Sequence, residues 1–248
     1  MKRSVQSHQF AIYWAEIFHY AQAQTIAITD AALYHRIVHV LRLTPPRTCI
    51  LFDRLFNILV GLERITSSTL ELAILEVNQN TVFHPIISFF LPLLKRHALE
   101  EAVYALTECG VNEIRLLITK KVQREWYGEK ELTRLQNIII AASEQAKFFT
   151  FPLLQPPQSF HANMNSFTES MVFVLEPDGE LLHTIFPKIL QKNPPKITLF
   201  SGPEGGFTED EKQTFCALNI PFLSLTPTIL RAQQAATLGA GIMRSWCK

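Results

Sequence analysis

Three glycines fall within five residues in the run Ser201-Gly202-Pro203-Glu204-Gly205-Gly206-Phe207. Glycine lets a backbone pass close to a ligand and turn its N–H groups toward it. A loop of this kind between a strand and a helix suits a ligand site. An ordinary tight turn has the same composition, so the loop alone leaves both readings open. Its spacing is neither the dinucleotide fingerprint nor the P-loop pattern that ends in Gly-Lys-Ser/Thr. The apolar run Ile197 to Phe200 before it reads as a buried strand. Thr208-Glu209-Asp210-Glu211 after it reads as a capping box, with Thr208 as N-cap and Glu211 three residues on.

A second chemical segment runs from Leu223 to Met243. A strand ending near Leu225 meets Thr226-Pro227-Thr228, and Ile229-Leu230-Arg231 opens a long helix through Ala235, Ala236, Gly239 and Gly241. Its small residues allow close packing against a neighbouring chain segment, and ordinary core packing is the simpler reading of them. Arg231 is more informative. A cation at a helix N-terminus opposes the macrodipole at about 0.3–1 kcal/mol, a cost that suits a functional anion binder better than a helix stabiliser.

His35 and His39 stand one helical turn apart, which is also a metal-ligand spacing. No third ligand accompanies them, so no metal is expected. Contact with a phosphate or plain packing accounts for them, and Arg36 and Arg42 offer the bidentate donors that phosphate favours. The four cysteines, Cys49, Cys109, Cys216 and Cys247, are scattered without a CxxC pair. That pattern predicts neither a zinc site nor a disulfide framework and points to a reducing compartment.

The elements that must position these residues fall into two groups. Asp30 is a plausible N-cap for a helix over Ala31 to Arg42, which Pro45-Pro46 ends. Short strands follow at Cys49–Phe52, Leu55–Leu62 and Leu70–Val77, a pattern that suggests a small β-barrel. The polar stretch Asn78 to Thr81 marks a boundary, giving domains 1–80 and 81–248. Beyond it strands and helices alternate. Strands are predicted at Ile86–Leu91, Glu113–Thr119, Phe149–Leu154, Met171–Leu175 and Ile197–Phe200. Helices are predicted over Lys95–Cys109, stopped by Gly110, and over Glu129–Lys147. Gln155-Pro156-Pro157 is read as closing the strand before it. This order implies a doubly wound α/β domain with its ligand at the carboxyl ends of parallel strands.

Bulk properties agree. With 248 residues, 48% hydrophobic and 18% charged, the chain can bury an ordinary core. No apolar run is long enough to span a bilayer, and the first ten residues lack the apolar stretch of a secretory signal. Net charge is only +1. Residues 1–60 nevertheless carry six cations (Lys2, Arg3, Arg36, Arg42, Arg47, Arg54) against Glu16, Asp30 and Asp53, a mild bias suited to phosphate contacts.

The strand followed by Gly-Pro-Glu-Gly-Gly-Phe and a capping box, then Ile-Leu-Arg-Ala before an alanine-rich helix, resembles the SPOUT-class methyltransferases. Within that class the chain resembles the RsmE family of 16S ribosomal RNA (uracil-N3) methyltransferases. Three further stretches match in order: Tyr34 to Leu43, Lys95 through Thr107-Glu108-Cys109-Gly110-Val111, and Ala141-Ala142-Ser143-Glu144-Gln145. The resemblance implies an N-terminal PUA-like β-barrel for RNA and a C-terminal SPOUT-type parallel-sheet domain tied in a trefoil knot. It further implies a cytoplasmic homodimer acting on 16S rRNA or the small subunit, with S-adenosylmethionine as cofactor and no membrane partner. Carried over, the cofactor would touch Leu175, Gly202, Pro203, Gly205, Gly206, Leu225, Leu230 and Arg231, and RNA would meet His35, Arg36 and Arg42. Several positions depart from the family pattern. Arg36 and Arg54 replace a histidine and a glycine, and the arginine after Glu144-Gln145 is missing. Thr226, Gln233 and Gln234 replace a glycine, a glutamate and a threonine.

Methylation at uracil N3 requires loss of the N3 proton, and the resulting anion spreads over two carbonyl oxygens. A positioned cation stabilises it, and Arg231 is the candidate. Glu204 is the candidate base, although a carboxylate there more readily braces the loop by accepting backbone N–H groups. Two alternatives remain beside this activity: a relative that binds RNA or ribosome precursors without catalysis, motivated by Gln233, and a SPOUT enzyme directed at another RNA position.

Overall fold

The structure is a computed structural model and describes residues 9–164, 167 and 170–245. Lys2, Arg3 and Cys247 lie outside the described residues. The chain divides into two compact units, one of residues up to Thr81 together with Lys147–Thr150, the other of Val82–Ala146 and Phe151 onward.

The first unit contains β1 (Phe10–Tyr13), β2 (Thr25–Ile28), α1 (Ala31–His35), β3 (Thr48–Phe52), β4 (Phe56–Ile65) and β5 (Leu70–Gln79). They form a five-stranded sheet in the order β1-β3-β4-β5-β2. Pairing is antiparallel except between β1 and β3. Ile12, Ile26, Ile37, Leu51, Val60 and Leu72 sit in its core, each almost fully buried. Asp30 caps α1 as expected, its Oδ1 accepting the Leu33 N–H at 2.8 Å. The helix does not run unbroken to Arg42. It widens into a π-helical turn over Arg36–Val40, where the Leu41 N–H reaches back to the Arg36 carbonyl, and Arg42 follows in the left-handed region at φ 52°. Strands β1 and β2 were hidden in what reads as an irregular start, because four residues carry too little alternation to stand out from their flanks. The polar stretch at Asn78 is part of the ladder: Asn78 pairs with Asn57 and Gln79 with Phe56.

The second unit contains β6 (Ile86–Pro92), α2 (Arg96–Glu108), β7 (Glu113–Ile118), α3 (Glu129–Ala146), β8 (Leu153–Ser159), β9 (Ser170–Leu181), α4 (Leu182–Lys192), β10 (Lys196–Ser201), α5 (Glu209–Ala217), β11 (Phe222–Ser224) and α6 (Ala232–Ser245). Six parallel strands lie in the order β11-β9-β10-β6-β7-β8, so this is an α/β fold built on a parallel sheet. Alternate residues of each strand face opposite layers. Phe89, Leu91, Phe173 and Leu199 pack with Leu99, Val103 and Leu106 of α2 and with Ala236, Ala240 and Met243 of α6. On the opposite layer Phe90, Val174 and Phe200 pack with Phe160, Phe207 and Phe215. Pro156 and Pro157 do not end the strand before them. They lie inside β8, an edge strand whose register with β7 slips between the Arg115–Gln155 and Leu117–Gln158 pairs, so neither proline has to donate to a ladder. Among the described residues, no helix is long and apolar enough to cross a membrane.

The strand order decides where a ligand can sit. The chain leaves β8 at one edge and returns near the other, then lays β10 between β9 and β6. Leu175 of β9 and Ser201 of β10 are register partners, and β11 lies beside β9. The turns that leave β10 and β11 therefore open at the carboxyl end of a parallel sheet, the usual place for a ligand.

Candidate functional site

A cleft of about 660 Å³ opens there, within the range of small-molecule sites. The Gly202 turn forms one wall and the Leu225–Arg231 segment another. Gly206 stands at φ 67°, and its N–H closes a turn onto the Pro203 carbonyl at 2.8 Å. A Cβ on Gly202 would meet the Gly206 Cα at 3.1 Å and its carbonyl carbon at 3.2 Å, so the loop folds onto itself too tightly for a larger residue without a shift.

Leu175, Gly202, Pro203, Gly206, Leu225, Leu230 and Arg231 all line the cleft, with Glu204 and Gln233. Gly205 is the exception among the expected residues. It faces Lys121, whose Nζ donates to the Gly205 carbonyl at 2.9 Å and to the Phe207 carbonyl at 3.1 Å. The His35, Arg36 and Arg42 group belongs to the first unit. His35 and Arg42 are exposed and Arg36 is half-buried, with the His35 and His39 rings 5.3 Å apart.

Arg231 directly precedes α6, its carbonyl accepting the Ala235 N–H at 2.9 Å. Among the described residues its exposed guanidinium has no ion-pair partner. Ile229 beside it is 84% exposed, an apolar side chain held out at the mouth of the cleft. The two carboxylates of the cleft wall are engaged elsewhere. Glu204 accepts the backbone N–H of Lys95 at 3.2 Å, at the start of α2, a helix end whose own cap supplies no side chain. Glu176 pairs with Lys212 of α5, and that hydrogen bond raises the Lys212 ammonium above its ordinary value.

The expected capping box is present. Thr208 Oγ1 accepts the Glu211 N–H, and Glu211 Oε2 accepts the Thr208 N–H at 2.8 Å. Glu211 is 1% exposed, and its other oxygen accepts the Lys120 N–H at 2.9 Å. One carboxylate thus ties the far end of the glycine turn to the loop after β7. Replacing Glu211 by alanine is expected to cost about 2 kcal/mol, from the lost cap and the abandoned Lys120 N–H. Urea unfolding of the variant checks this, and an unchanged midpoint would refute the tie. Lys121, Glu176 and Lys212 escape sequence reasoning. Each is an ordinary charged residue without a motif, and its partner lies tens of residues away.

A family model described as an RNA methyltransferase domain matches residues 84–244. A Rickettsia conorii protein named Ribosomal RNA small subunit methyltransferase E is 26% identical over 189 residues, covering 74% of this chain and 76% of that protein. A Synechocystis protein of the same name is 26% identical, covering 86% and 71%. Among solved structures, the Ribosomal RNA small subunit methyltransferase E of Neisseria gonorrhoeae bound to S-adenosyl methionine superposes with a TM-score of 0.81 at 22% identity, over 96% of this chain and 98% of that one. A methyltransferase structure from Legionella pneumophila with bound cofactor gives 0.83 at 24% identity, with the same coverage. At these identities the structural likeness is one of fold.

Proposed function

The chain belongs to the RNA methyltransferase domain family, and from that premise we propose that it methylates N3 of a uridine in 16S ribosomal RNA with S-adenosylmethionine as donor. The observation that carries this reading is the cleft at the carboxyl ends of β9, β10 and β11, where the glycine turn and the Arg231 segment meet. Volume and donor set fit the cofactor. Its wall combines the apolar Leu175, Leu225 and Leu230 with a backbone turn that a Cβ at Gly202 would crowd.

When bound, S-adenosylmethionine supplies an electrophilic methyl group on a sulfonium. The N3 proton leaves to solvent, and the chain's own residues position the reactants and stabilise the developing anion. The cleft holds the reacting groups at contact distance, an advantage of several kcal/mol, roughly 7–11 in well-oriented systems. Arg231 places a cation where the uracil oxygens gain charge. Glu204 is assigned to bracing, since its carboxylate accepts the Lys95 N–H.

The first unit is assigned to RNA as a PUA-like barrel, with His35, Arg36 and Arg42 toward phosphate, in keeping with a sheet that owns its core. The resemblance extends this reading to a trefoil knot in the second unit, where α6 lies tightly on the cleft. A Cβ on Gly239 would fall 2.7 Å from Leu175 Cδ1 and 3.5 Å from Leu225 Cδ1. Homodimerisation is supported by a mainly apolar groove of about 610 Å³ that Tyr104 and Leu238 help to line. A cytoplasmic location follows from the substrate.

Calorimetry with S-adenosylmethionine tests the reading, and absence of binding at millimolar cofactor would sink it. Mass mapping of 16S rRNA from cells lacking the protein tests the target, where an unchanged uridine profile would redirect the enzyme to another RNA. The uncharged Gln233 in the cleft wall favours one rival, a binding protein without turnover. A single methylated product excludes it.

Lys121 gives a further expectation. Replacing it by alanine removes two hydrogen bonds from the loop without opening a core. Cofactor dissociation constants are expected to rise about tenfold with little change in melting temperature. Wild-type affinity in the variant would show that the loop needs no such clamp.

A further inference from the structure

A smaller concavity of about 250 Å³ lies in the first unit, on the sheet formed by β3, β4 and β5. Its apolar floor is Ile50 and Leu59. Phe149, half-buried, lines it while leaning on Phe52 with ring centroids 4.7 Å apart. Lys147, exposed at φ 53° where the chain leaves α3, contributes a cation.

Asn57 and Asn78, which line it with Gln9 and Glu76, are oriented by a chain of hydrogen bonds that starts at Asn80. Asn80 donates to the Asp53 carbonyl at 3.0 Å, and Asn57 donates to Asn80 Oδ1 at 2.7 Å. Asn78 Nδ2 then donates both to Asn57 Oδ1 at 3.4 Å and to Glu76 Oε1 at 3.1 Å. An amide nitrogen has two hydrogens, so Asn78 spends both inside the network and its Oδ1 is left as an acceptor. Asn57 keeps one N–H, and Glu76 keeps an oxygen. Strand pairing alone would be served by any polar residue at these positions. A chain of amides that fixes a donor beside acceptors, over an apolar floor and next to an aromatic ring, is the chemistry that reads a base edge.

We propose that this concavity binds an unpaired adenine or cytosine of an RNA strand. These two bases share an amidine edge, an exocyclic amine next to a ring nitrogen acceptor. The amine donates to Asn78 Oδ1 or Glu76, and the ring nitrogen accepts from Asn57 Nδ2. Lys147 meets the adjoining phosphate, and the base face lies on the apolar floor beside Phe149. In that register uracil and guanine present a carbonyl in place of the amine and a ring N–H in place of the acceptor, so both contacts are reversed. The inference rests on the RNA-directed reading above and adds a base-specific contact to it.

The test uses the full chain and the four nucleoside 5′-monophosphates, followed by the side-chain amide NMR signals of Asn57 and Asn78. AMP and CMP are expected to shift these signals in a saturable way, with dissociation constants of about 1–10 mM for one stacked and hydrogen-bonded nucleotide, and UMP to leave them in place. Asn78→Ala, an exposed substitution, is expected to weaken AMP and CMP about tenfold. Lys147→Ala is expected to weaken all nucleotides alike and to lower the salt dependence of single-stranded RNA binding by about one ion. Equal shifts with UMP, or AMP and CMP binding unchanged in Asn78→Ala, would overturn the proposal, as would no shift with any nucleotide. S-adenosylmethionine binding measured on the same samples separates the two readings. Cofactor binding without nucleotide binding removes only this site, and loss of both removes the methyltransferase reading as well.

Discussion

Turnover is expected to fall about 10²–10³-fold when Arg231 is replaced by alanine, the loss typical of removing one preorganised donor from a developing anion. The guanidinium is exposed in the cleft, and among the described residues no carboxylate competes for it. Its position before α6 carries no packing burden, so the fold should survive the change. Cofactor affinity is expected to drop far less than turnover, because the charge matters most when the uracil becomes anionic. Arg231→Lys keeps the charge but loses the planar fork, and should recover only part of the rate. Single-turnover methylation of small ribosomal subunits at saturating cofactor separates these terms. An alanine variant with intact turnover and an unchanged oligomeric state would remove Arg231 from the chemistry.

The second large effect is structural. Gly179 lies in β9 where β11 passes, and a Cβ there would come 2.6 Å from both the Leu223 nitrogen and the Phe222 carbonyl carbon, and 2.7 Å from the Phe222 oxygen. These are backbone atoms of the neighbouring strand, which cannot yield by rotating a side chain. Gly179→Ala must therefore push β11 away from β9. We expect about 3 kcal/mol of lost stability, at the upper end of overpacking costs. The displaced strand leads straight into the Leu225–Arg231 wall, so cofactor affinity should fall with it, by at least about tenfold. Denaturant unfolding and calorimetry on one preparation measure both. A variant as stable as the wild type would mean that the strands part more easily than their spacing implies. Gly239 offers the contrast: its nearest neighbour is the tip of Leu175, a flexible side chain that can move.

Local features were legible from the residues alone. The Asp30 cap and the Thr208–Glu211 capping box each span three residues, within the reach of a single helical turn. The strand Ile197 to Phe200 and the helix stopped at Gly110 follow from periodicity and from the backbone freedom of glycine. Longer-range order defeated the same approach. Pro156 and Pro157 look like strand breakers until β8 proves to be an edge. The helix begun at Ala31 widens at Arg36, where Ile37 is buried in the sheet's core and tertiary packing outweighs propensity. Lys147–Thr150 sit in the middle of the sequence of the second unit but fold with the first.

The site divides in the same way. Amino-acid order alone determined which segments carry the glycine turn, the Arg231 approach and the apolar strands between them, because these depend on residues a few positions apart. Tertiary structure alone decided that the two loops share one cleft, that Glu204 braces the start of α2, and that Lys121 grips Gly205 from 84 residues away. It also decided that the amides at Asn57 and Asn78 face each other across a ladder. The reason is physical: a hydrogen bond between distant residues has no local signature, since either partner alone is an ordinary polar side chain until the sheet brings them together.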